Sequence, residues 1–284
     1  MTSLRAVFLD YDGTLADRGV VPISHRQAVR EARATAKVVL CTGRCRPMLG
    51  PEILGIGFDG IVGSSGAYVE LDGKVLADRR IPDELAARAL AVFEQNRVAY
   101  VIESPEVVLG PVGVIDRMRE RMLRGGVDPE RIIPGLAVQE REDLRGVSFA
   151  KVSCFNSPVP IGQLAAQIGP GLATVESSLP GDAHDGGEIF RADVHKSDGA
   201  RLVAAELGID RSQILAVGDG ANDIDLVDYA GTGVAIEGSD PRLVAVSQRL
   251  APKPAEHGLT TLFTELGLIG EESTEDSEQA RQAD

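Results

Sequence analysis

The sequence predicts an α/β fold, a doubly wound parallel sheet with a second, mixed unit inserted into it. Three observations lead to this prediction. Apolar runs alternate with helical patterns from residue 4 to about residue 79, as is typical of consecutive strand–helix–strand units. From about residue 80 to residue 187 the pattern changes to a mixture of helices and strands. A chain of 284 residues is also long enough to build two hydrophobic cores.

The inserted unit is expected to span residues 80–187, while residues 1–79 and 188–270 form the discontinuous sheet domain. Within the insertion, hydrophobic periodicity predicts helices at 83–96, 114–124 and 161–168, and strands at 98–103, 137–141, 149–155 and 173–178. The second of these helices is basic. Its arginines could face substrate anions, but a solvated helix face is the favoured interpretation. They are Arg117, Arg119, Arg121 and Arg124.

Two carboxylates follow the first apolar run of the chain. Residues 6–9 lead into Asp-Tyr-Asp-Gly-Thr at residues 10–14, and strand alternation would place Asp10 and Asp12 on one face. Close carboxylates repel each other unless a cation or a shared proton intervenes. The pattern therefore points to a magnesium site, although Asp-x-Asp-Gly also occurs in ordinary turns. A calcium loop of the EF-hand type is excluded, because Leu15 and Val21 would occupy the positions that need Gly and Glu.

A second and a third signal are weak when each is taken alone. The apolar run 37–41 ends at Thr42, Gly43 and Arg44, where a hydroxyl and backbone N–H groups would suit a phosphate. An ordinary helix cap has the same composition. Lys196 stands just before a helical pattern, and a lone lysine is most often a solvated surface residue.

The fourth signal is the strongest of the four. A strand-like run at 214–218 leads directly into Asp-Gly-Ala-Asn-Asp at residues 219–223. Two acids and an amide thus follow a strand, with a glycine that permits close backbone approach. In an open parallel sheet, ligands bind outside the carboxyl ends of the strands. The four signals are therefore expected to converge at one crevice.

The order of these motifs resembles the haloacid dehalogenase superfamily of phosphohydrolases, and more narrowly its Cof-like branch. The motifs are Asp-x-Asp-Gly-Thr, Thr-Gly-Arg, Lys and Gly-Asp-Gly-x-Asn-Asp. The branch carries a large cap between its second and third motifs, at the place of the inserted unit. The resemblance covers roughly residues 4–79 and 188–263. It implies a Rossmann-like core with an inserted α+β cap.

The resemblance also implies a phosphoaspartate mechanism with Mg²⁺ as the cofactor. Asp10 would be the nucleophile on phosphorus, and Asp12 would protonate the leaving alcohol and later deprotonate water. The presence of Asp12 argues against a dehalogenase, which needs no such acid. The implied Mg²⁺ ligands are Asp10, Asp12 through its backbone carbonyl, Asp219 and Asp223. The implied phosphate-binding residues are Thr42, Gly43, Lys196 and Asn222.

Substrate selection is expected to depend on residues beside these motifs. Arg44 follows the second motif, and Ser65 stands where the branch's Asn-Gly-Ala turn has its Asn. A glycine-rich loop at 181–187 could hinge the cap and bring His184 or Asp185 over the site. A surface turn is an equally good interpretation of that loop.

The composition of the chain limits which kinds of partner it is expected to bind. The net charge of −14 argues against binding to a nucleic-acid backbone, and five of these charges come from residues 271–284, which are expected to be a disordered acidic tail. No apolar stretch reaches the length of a membrane span. The three cysteines are interpreted as reduced thiols of a cytoplasmic protein, with Cys45 as packing material rather than a reactive thiol.

The leading hypothesis is a Mg²⁺-dependent phosphatase that acts on a small phosphorylated metabolite, with a sugar phosphate favoured. A phosphomutase or phosphotransferase on the same scaffold is the first alternative. A non-catalytic regulatory protein that binds a phosphorylated ligand is the second. The oligomeric state has no signal in the sequence.

Overall fold

A computed structural model describes residues 3–176 and 186–270. The predicted substrate-selecting residues His184 and Asp185 and the acidic tail at 271–284 lie outside these described residues. The chain divides into two compact units. The first comprises the described residues of Met1–Gly43, Pro51–Ala77 and His195–Asp284, and the second those of Arg44–Gly50 and Asp78–Val194.

The strands of the described residues are labelled in chain order. They are β1 (Ala6–Asp10), β2 (Lys37–Cys41), β3 (Gly60–Gly63), β4 (Tyr68–Leu71), β5 (Lys74–Asp78), β6 (Ala99–Glu103), β7 (Val108–Pro111), β8 (Val138–Arg141), β9 (Lys151–Phe155), β10 (Leu172–Glu176), β11 (Gly187–Arg191), β12 (Ile214–Gly218), β13 (Thr232–Ile236) and β14 (Arg249–Ala251).

The α-helices are labelled in the same way. They are α1 (Ile23–Ala32), α2 (Pro51–Leu54), α3 (Asp83–Gln95), α4 (Val114–Arg124), α5 (Pro129–Ile132), α6 (Ile161–Ile168), α7 (Lys196–Leu207), α8 (Ile224–Tyr229), α9 (Pro241–Val246) and α10 (Gly258–Glu265). Among these residues, no helix combines the length and the apolarity needed to cross a bilayer.

The first unit is built on an eight-stranded sheet in the order β14-β13-β12-β1-β2-β3-β4-β5. The strands from β14 to β3 in this order are parallel, and β4 is antiparallel to β3. Helices α7, α8 and α9 pack on the face that carries Ala6 and Phe8. Val7 and Leu9 point to the opposite face and are also fully buried, and α1 there contacts β2 and α10. The predicted doubly wound sheet is confirmed.

The second unit is built on a six-stranded sheet in the order β10-β11-β9-β6-β7-β8. Its pairs are antiparallel except for β7 and β8, which are parallel. Helices α3 and α6 pack on one face, against side chains such as Tyr100 and Val152. Helix α4 packs on the other face, against Ala99 and Val101. This is the predicted α+β unit.

The observed units differ from the predicted boundaries of the sheet domain at three places, the smallest being residues 78 and 79, which belong to the second unit. Strand β11 was assigned to the first unit, but it lies between β10 and β9 in the second sheet, and the first unit resumes at His195. Residues 44–50 also belong to the second unit, because Cys45 and Met48 pack with the apolar side chains of β6 and α4. Local patterns show that a strand forms but not which sheet it joins.

Candidate active site

Four neighbouring parallel strands end at the same edge of the first sheet. In the order β12-β1-β2-β3, the strands are paired in parallel, so their carboxyl ends share one edge, where ligands of such sheets bind. Asp10 is the last residue of β1. Asp219, Thr42 and Ser64 directly follow β12, β2 and β3. The edge thus collects the predicted motifs.

Lys196 lies at the centre of the site. It is the first residue of α7, and its side chain is 1% exposed. Its Nζ donates hydrogen bonds of 2.6 Å to Asp10 Oδ1 and of 2.6 Å to Asp223 Oδ1. The predicted surface alternative for this lysine is therefore wrong. Its two acids raise the pKa of Lys196, although burial opposes them, so the ammonium stays charged.

Asp223 organises the loop that follows β12. It is fully buried, and while its Oδ1 accepts from Lys196, its Oδ2 accepts from the backbone N–H groups of Asp219 and Gly220 at 3.2 and 3.0 Å. Carboxylates that accept several N–H bonds are held in one orientation. Asp223 thereby fixes the backbone that presents Asp219.

Asp219 is held from the opposite side by the first motif. Thr14 donates from Oγ1 to Asp219 Oδ1 at 3.0 Å. Gly13 has a φ of +89°, and a Cβ added there would lie 2.2 Å from Asp219 Oδ2. Only glycine leaves room for the carboxylate and adopts this backbone without strain. Thr14 was missed as a site residue, although it belongs to the first motif.

Three carboxylates form a cluster that could hold a metal ion. Oxygen atoms of Asp10, Asp219 and Asp223 lie within 4.8 Å of one another. Burial raises the pKa of Asp10 well above its usual range, and Asp223 and Asp219 add to the rise while Lys196 opposes it. Burial and Asp223 also raise the pKa of Asp219. Three acids and one lysine leave two negative charges, and hard oxygen donors suit Mg²⁺, so the residues fit the predicted metal.

Thr42, Gly43, Ser65 and Asn222 form a second corner of the site. Thr42 is buried, and its backbone oxygen accepts from Ser65 N at 3.1 Å. A Cβ added to Gly43 would lie 3.5 Å from Ser65 Oγ and 4.0 Å from Asn222 Nδ2. Polar groups from three loops therefore meet around Gly43.

The turn that carries Ser65 has an unusual backbone. Ser64, Ser65 and Gly66 have φ values of +47°, +57° and +109°, a region that side chains other than glycine rarely occupy. A Cβ on Gly66 would lie 2.1 Å from His195 O. The turn thus packs tightly on the start of α7, next to Lys196. Strained backbone of this kind is often found at functional sites.

The carboxylate of Asp12 is not part of the acid cluster. Strand β1 ends at Asp10, so the predicted alternation on one strand face does not extend to Asp12, which lies in the following turn with its side chain exposed. Its backbone forms a bridge with Ala16. Asp10 and Asp12 therefore differ in environment, one buried against a lysine and one open to solvent.

Several other predicted or neighbouring residues have different surroundings. Arg44 belongs to the second unit. Lys196 Nζ donates to Asp10 and Asp223, and neither contact involves Asn222. Asp225, which the sequence did not single out, accepts from Ser197 N at 3.1 Å. It steadies the first turn of α7 directly after Lys196.

Arg117, Arg119 and Arg124 of α4 have partners within the second unit, which agrees with the interpretation of a solvated helix face. Arg117 donates to the backbone oxygen of Arg97 at 3.0 Å, and Arg124 donates to Asn156 Oδ1 at 2.9 Å. Arg119 pairs with Asp116 and Glu130.

All three cysteines are buried and unpaired by disulfides. Burial raises the pKa of the thiols of Cys41, Cys45 and Cys154. Cys45 is therefore packing material, as predicted, since a reactive thiol needs an accessible thiolate.

The doubly wound core carries its acid–lysine cluster at the carboxyl edge of the parallel strands. The family model of the haloacid dehalogenase-like hydrolases matches residues 7–263, and the chain belongs to that family. The family predicted from the motif order is thereby confirmed.

Known proteins resemble the chain over most of its length. A phosphoglycolate phosphatase of Archaeoglobus fulgidus is 27% identical over 78% of this chain and all of its own. A hypothetical protein of Geobacillus kaustophilus has a TM-score of 0.80 at 22% identity, with 94% of this chain and 100% of that chain covered. A subclass IIB sugar phosphatase of the same superfamily, BT4131, has a TM-score of 0.72 at 21% identity, with 93% and 100% covered. The predicted enzyme class, a phosphatase, is confirmed by the family match and by the phosphatase relative, while the two solved structures show the fold.

Proposed function

We propose that the protein is a Mg²⁺-dependent phosphatase that hydrolyses a small phosphorylated metabolite, with a sugar phosphate favoured, through an aspartyl phosphate on Asp10. The observation that carries the proposal is the buried Asp10 carboxylate, bonded to Lys196 at the carboxyl edge of a parallel sheet. The other acids of the cluster lie beside it.

In the first step, a carboxylate oxygen of Asp10 attacks phosphorus and the bond from phosphorus to the leaving oxygen breaks. Asp12 gives its proton to that oxygen, so an alcohol departs. Its exposed position suits a group that exchanges protons with substrate and water. In the second step, Asp12 takes a proton from water, which attacks the acyl phosphate and restores the Asp10 carboxylate.

The other residues bind the phosphoryl group and the metal ion and orient the Asp10 carboxylate. Lys196 fixes the Asp10 carboxylate and offsets charge on the transferring oxygens. Thr42, the Gly43 backbone and Asn222 would bind the phosphoryl oxygens at the corner around Gly43. Asp10, Asp219, Asp223 and the backbone carbonyl of Asp12 would hold Mg²⁺, which supplies charge neutralisation and orientation of the phosphate when bound.

The substrate class is proposed from the relatives' names and from the net charge of the chain. One relative is named for phosphoglycolate and one similar structure for sugars, and both substrates are small phosphate monoesters. The net charge of −14 disfavours nucleic acid as a substrate. A cytoplasmic location remains part of this proposal.

Phosphate release from sugar phosphates, nucleotides and p-nitrophenyl phosphate, measured with Mg²⁺ and with EDTA, tests the proposal. We expect release only with the metal. Asp10→Asn should lower kcat by about 10³-fold or more because it removes the nucleophile, and wild-type protein quenched in acid should carry an acid-stable, base-labile phosphate on Asp10.

Asp17→Asn is the matched control, since Asp17 is an exposed aspartate of the same loop, and we expect its kcat to stay near the wild-type value. Full activity of Asp10→Asn with an unchanged circular dichroism spectrum, or full activity in EDTA, contradicts the proposal. Recovery of phosphate on an added sugar hydroxyl instead of in water indicates the phosphotransferase alternative.

A further inference from the structure

A cleft lies within the second unit, between a helix, the sheet and a loop. It is lined by Leu90 and Glu94 of α3, Tyr100 of β6, Pro111 of β7 and the loop at 142–145, all of which belong to that unit. We call it the Tyr100 cleft. Its volume is about 190 Å³, whereas a single water molecule needs roughly 10–15 Å³ of such space. The cleft is therefore large enough for a small organic molecule.

The floor of the Tyr100 cleft is apolar. Continuing the antiparallel register of β6 and β7 places Tyr100 opposite Pro111, so their side chains lie on one face of the sheet. The ring of Tyr100 packs on that of Phe93, with 4.8 Å between the centroids. Leu90 and Leu144 are each 5% exposed and belong to the same apolar cluster. Hydrocarbon can therefore be covered here.

The Tyr100 hydroxyl is a polar group in this apolar floor. Tyr100 is 4% exposed, yet its hydroxyl forms no hydrogen bond with any residue in the ranges 3–176 and 186–270. Buried polar groups nearly always have a partner. Burial raises the pKa of Tyr100 to about 12, and the carboxylate of Glu94 adds to the rise. The hydroxyl thus stays neutral near another residue of the cleft, and it can donate or accept a hydrogen bond.

The rim of the Tyr100 cleft carries an excess of negative charge. Three carboxylates and one guanidinium line it, those of Glu94, Glu142, Asp143 and Arg145. Arg145 pairs with Asp143 at 2.9 Å. Glu94 and Glu142 are exposed, and neither forms an ion pair with a described residue. The two unneutralised carboxylates favour a cationic ligand.

The spacing of these acids favours an organic cation over a metal ion. Among the described residues, only Asp10, Asp219 and Asp223 bring three possible ligand atoms within 4.8 Å of one another. The acids of the Tyr100 cleft are too far apart to surround a bare ion together. An ammonium ion with a hydrocarbon body would use both parts of the cleft, because carboxylates accept its N–H groups and an aromatic face attracts its charge.

We propose that the Tyr100 cleft binds a small alkylammonium ion. The alkyl body lies on Leu90, Leu144 and the Tyr100 ring, and the ammonium group donates to the Tyr100 hydroxyl and to Glu94. No residue of the cleft belongs to the acid–lysine cluster of the first unit. The proposal therefore goes beyond the proposed function and does not depend on it.

Three probes of similar size and different charge test the proposal. They are n-butylamine, which is a cation at pH 7, 1-butanol and butyrate, each titrated into the full chain by isothermal titration calorimetry at about 0.15 M NaCl. We expect the Kd of the butylammonium ion to be at least about tenfold lower than that of 1-butanol, with butyrate the weakest. Equal Kd values for butylammonium and 1-butanol, or no binding of butylammonium, would overturn the proposal.

Two variants locate the bound ion. Tyr100→Phe removes only the hydroxyl, so we expect the Kd of butylammonium to rise about fivefold, with little change in Tm because that hydroxyl has no partner among the described residues. Glu94→Gln should raise the Kd by about fivefold or more. Glu84→Gln is the matched control, since Glu84 is exposed on the same helix and outside the cleft, and its Kd should stay at the wild-type value. Equal effects of Glu84→Gln and Glu94→Gln, or no effect of Tyr100→Phe and Glu94→Gln, would overturn the proposal.

A third variant separates this cleft from the acid–lysine cluster. We expect Asp10→Asn to bind butylammonium with the wild-type Kd, because Asp10 lies in the first unit. Loss of binding in Asp10→Asn would assign the ion to the acid–lysine cluster and overturn the proposal. Absence of phosphate release would contradict the proposed function alone, since these titrations use no phosphate ester. Circular dichroism and the Tm of each variant establish that it is folded.

Discussion

Two buried lysines, Lys196 in the first unit and Lys151 in the second, have similar partners and different surroundings. Each forms close contacts with two acids. Both acids of Lys196 are nearly or fully buried, whereas one acid of Lys151 is fully buried and the other is one-third exposed. In the first unit, the two short contacts of Lys196 hold the carboxylates of Asp10 and Asp223 in place. The arrangement in the second unit reaches solvent through Glu188.

The charge balance of the two clusters leads to the same distinction. Lys196 faces three acids that could hold a metal ion, which leaves two negative charges, whereas Lys151 contacts two acids, Glu103 and Glu188. Two negative charges in excess around Lys196 suit a divalent cation. Burial raises the pKa of both Asp10 and Glu103. The number of acids around each lysine, more than burial, therefore distinguishes the two sites.

Replacing each lysine by methionine should produce the largest contrast. Lys196→Met should lower kcat by about 10³-fold on every substrate, because it removes the cation that offsets charge in the transition state. Lys151→Met leaves Glu103 buried without its cation, so we expect the free energy of unfolding to fall by about 3–5 kcal/mol, with a much smaller loss of kcat on p-nitrophenyl phosphate. Urea unfolding and steady-state kinetics measure the two effects.

An equal loss of kcat in folded Lys196→Met and Lys151→Met would contradict the proposed difference between the two lysines. Lys196→Arg is a useful companion, since it keeps the charge but cannot keep two 2.6 Å contacts from one nitrogen. We expect it to recover little activity.

Gly13→Ala should have a smaller effect that is confined to the first unit. The added Cβ would collide with the Asp219 carboxylate, so we expect the Mg²⁺ concentration for half-maximal activity to rise about tenfold or more. Gly19→Ala is a close control, because Gly19 has a φ of +81° and nothing within 4 Å of an added Cβ. An equal shift in both variants would attribute the effect to backbone strain and not to the carboxylate.

Asp59 is a single acid beside two cations, the opposite of the two clusters in which one lysine contacts two acids. It accepts from Arg33 at 3.0 Å and from Val38 N at 2.9 Å, with Lys37 Nζ at 3.6 Å. Burial alone would raise the pKa of Asp59, but the Arg33 and Val38 hydrogen bonds outweigh it and lower the pKa. With two cations around one acid, the pKa of Asp59 is lowered, whereas the pKa values of Asp10 and Glu103 are raised.

Asp59→Asn should therefore have the smallest effect, and that effect should depend on pH. A lowered pKa in the folded state contributes stability above the unfolded pKa of about 3.9, and this contribution is lost as pH falls through the folded value. We expect a loss of about 1 kcal/mol in the free energy of unfolding at pH 7 that shrinks as the pH falls below the unfolded pKa and vanishes below the lowered pKa of the folded state. Asp72 is a more exposed partner of Lys37, so Asp72→Asn should lower the free energy of unfolding by less than Asp59→Asn does. A loss for Asp59→Asn that is equal at pH 3 and pH 7 contradicts the charge argument.

Much of the first cluster was predictable because its residues follow strands directly. Asp10 and Asp219 sit at the ends of apolar runs, and parallel strands bring such ends together. Lys196 was not predictable from its own surroundings, and its assignment came from the motif order. The Thr14 contact with Asp219 Oδ1 joins residues 205 positions apart, which no local pattern reveals.

The contacts of Lys151 with Glu103 and Glu188 in the second unit could not be predicted from the sequence for the same physical reason. Glu103 and Lys151 both lie in segments whose patterns predict strands, but a polar residue at a strand end usually faces water. Their contact depends on the register between β6 and β9, and that of Glu188 depends on β11 entering the second sheet. Register and sheet membership are set by packing between distant segments.

The three buried cysteines can report local opening of the structure through their reaction with a thiol reagent. Cys41 belongs to the first unit, and Cys45 and Cys154 belong to the second. A thiol reagent can reach each of them only when the surrounding packing opens, because all three are buried in the folded state. The labelling rate of each cysteine, followed by mass spectrometry of its peptide, therefore measures the opening free energy of its own unit without any introduced probe. A substrate that stabilises only one unit would slow labelling in that unit alone.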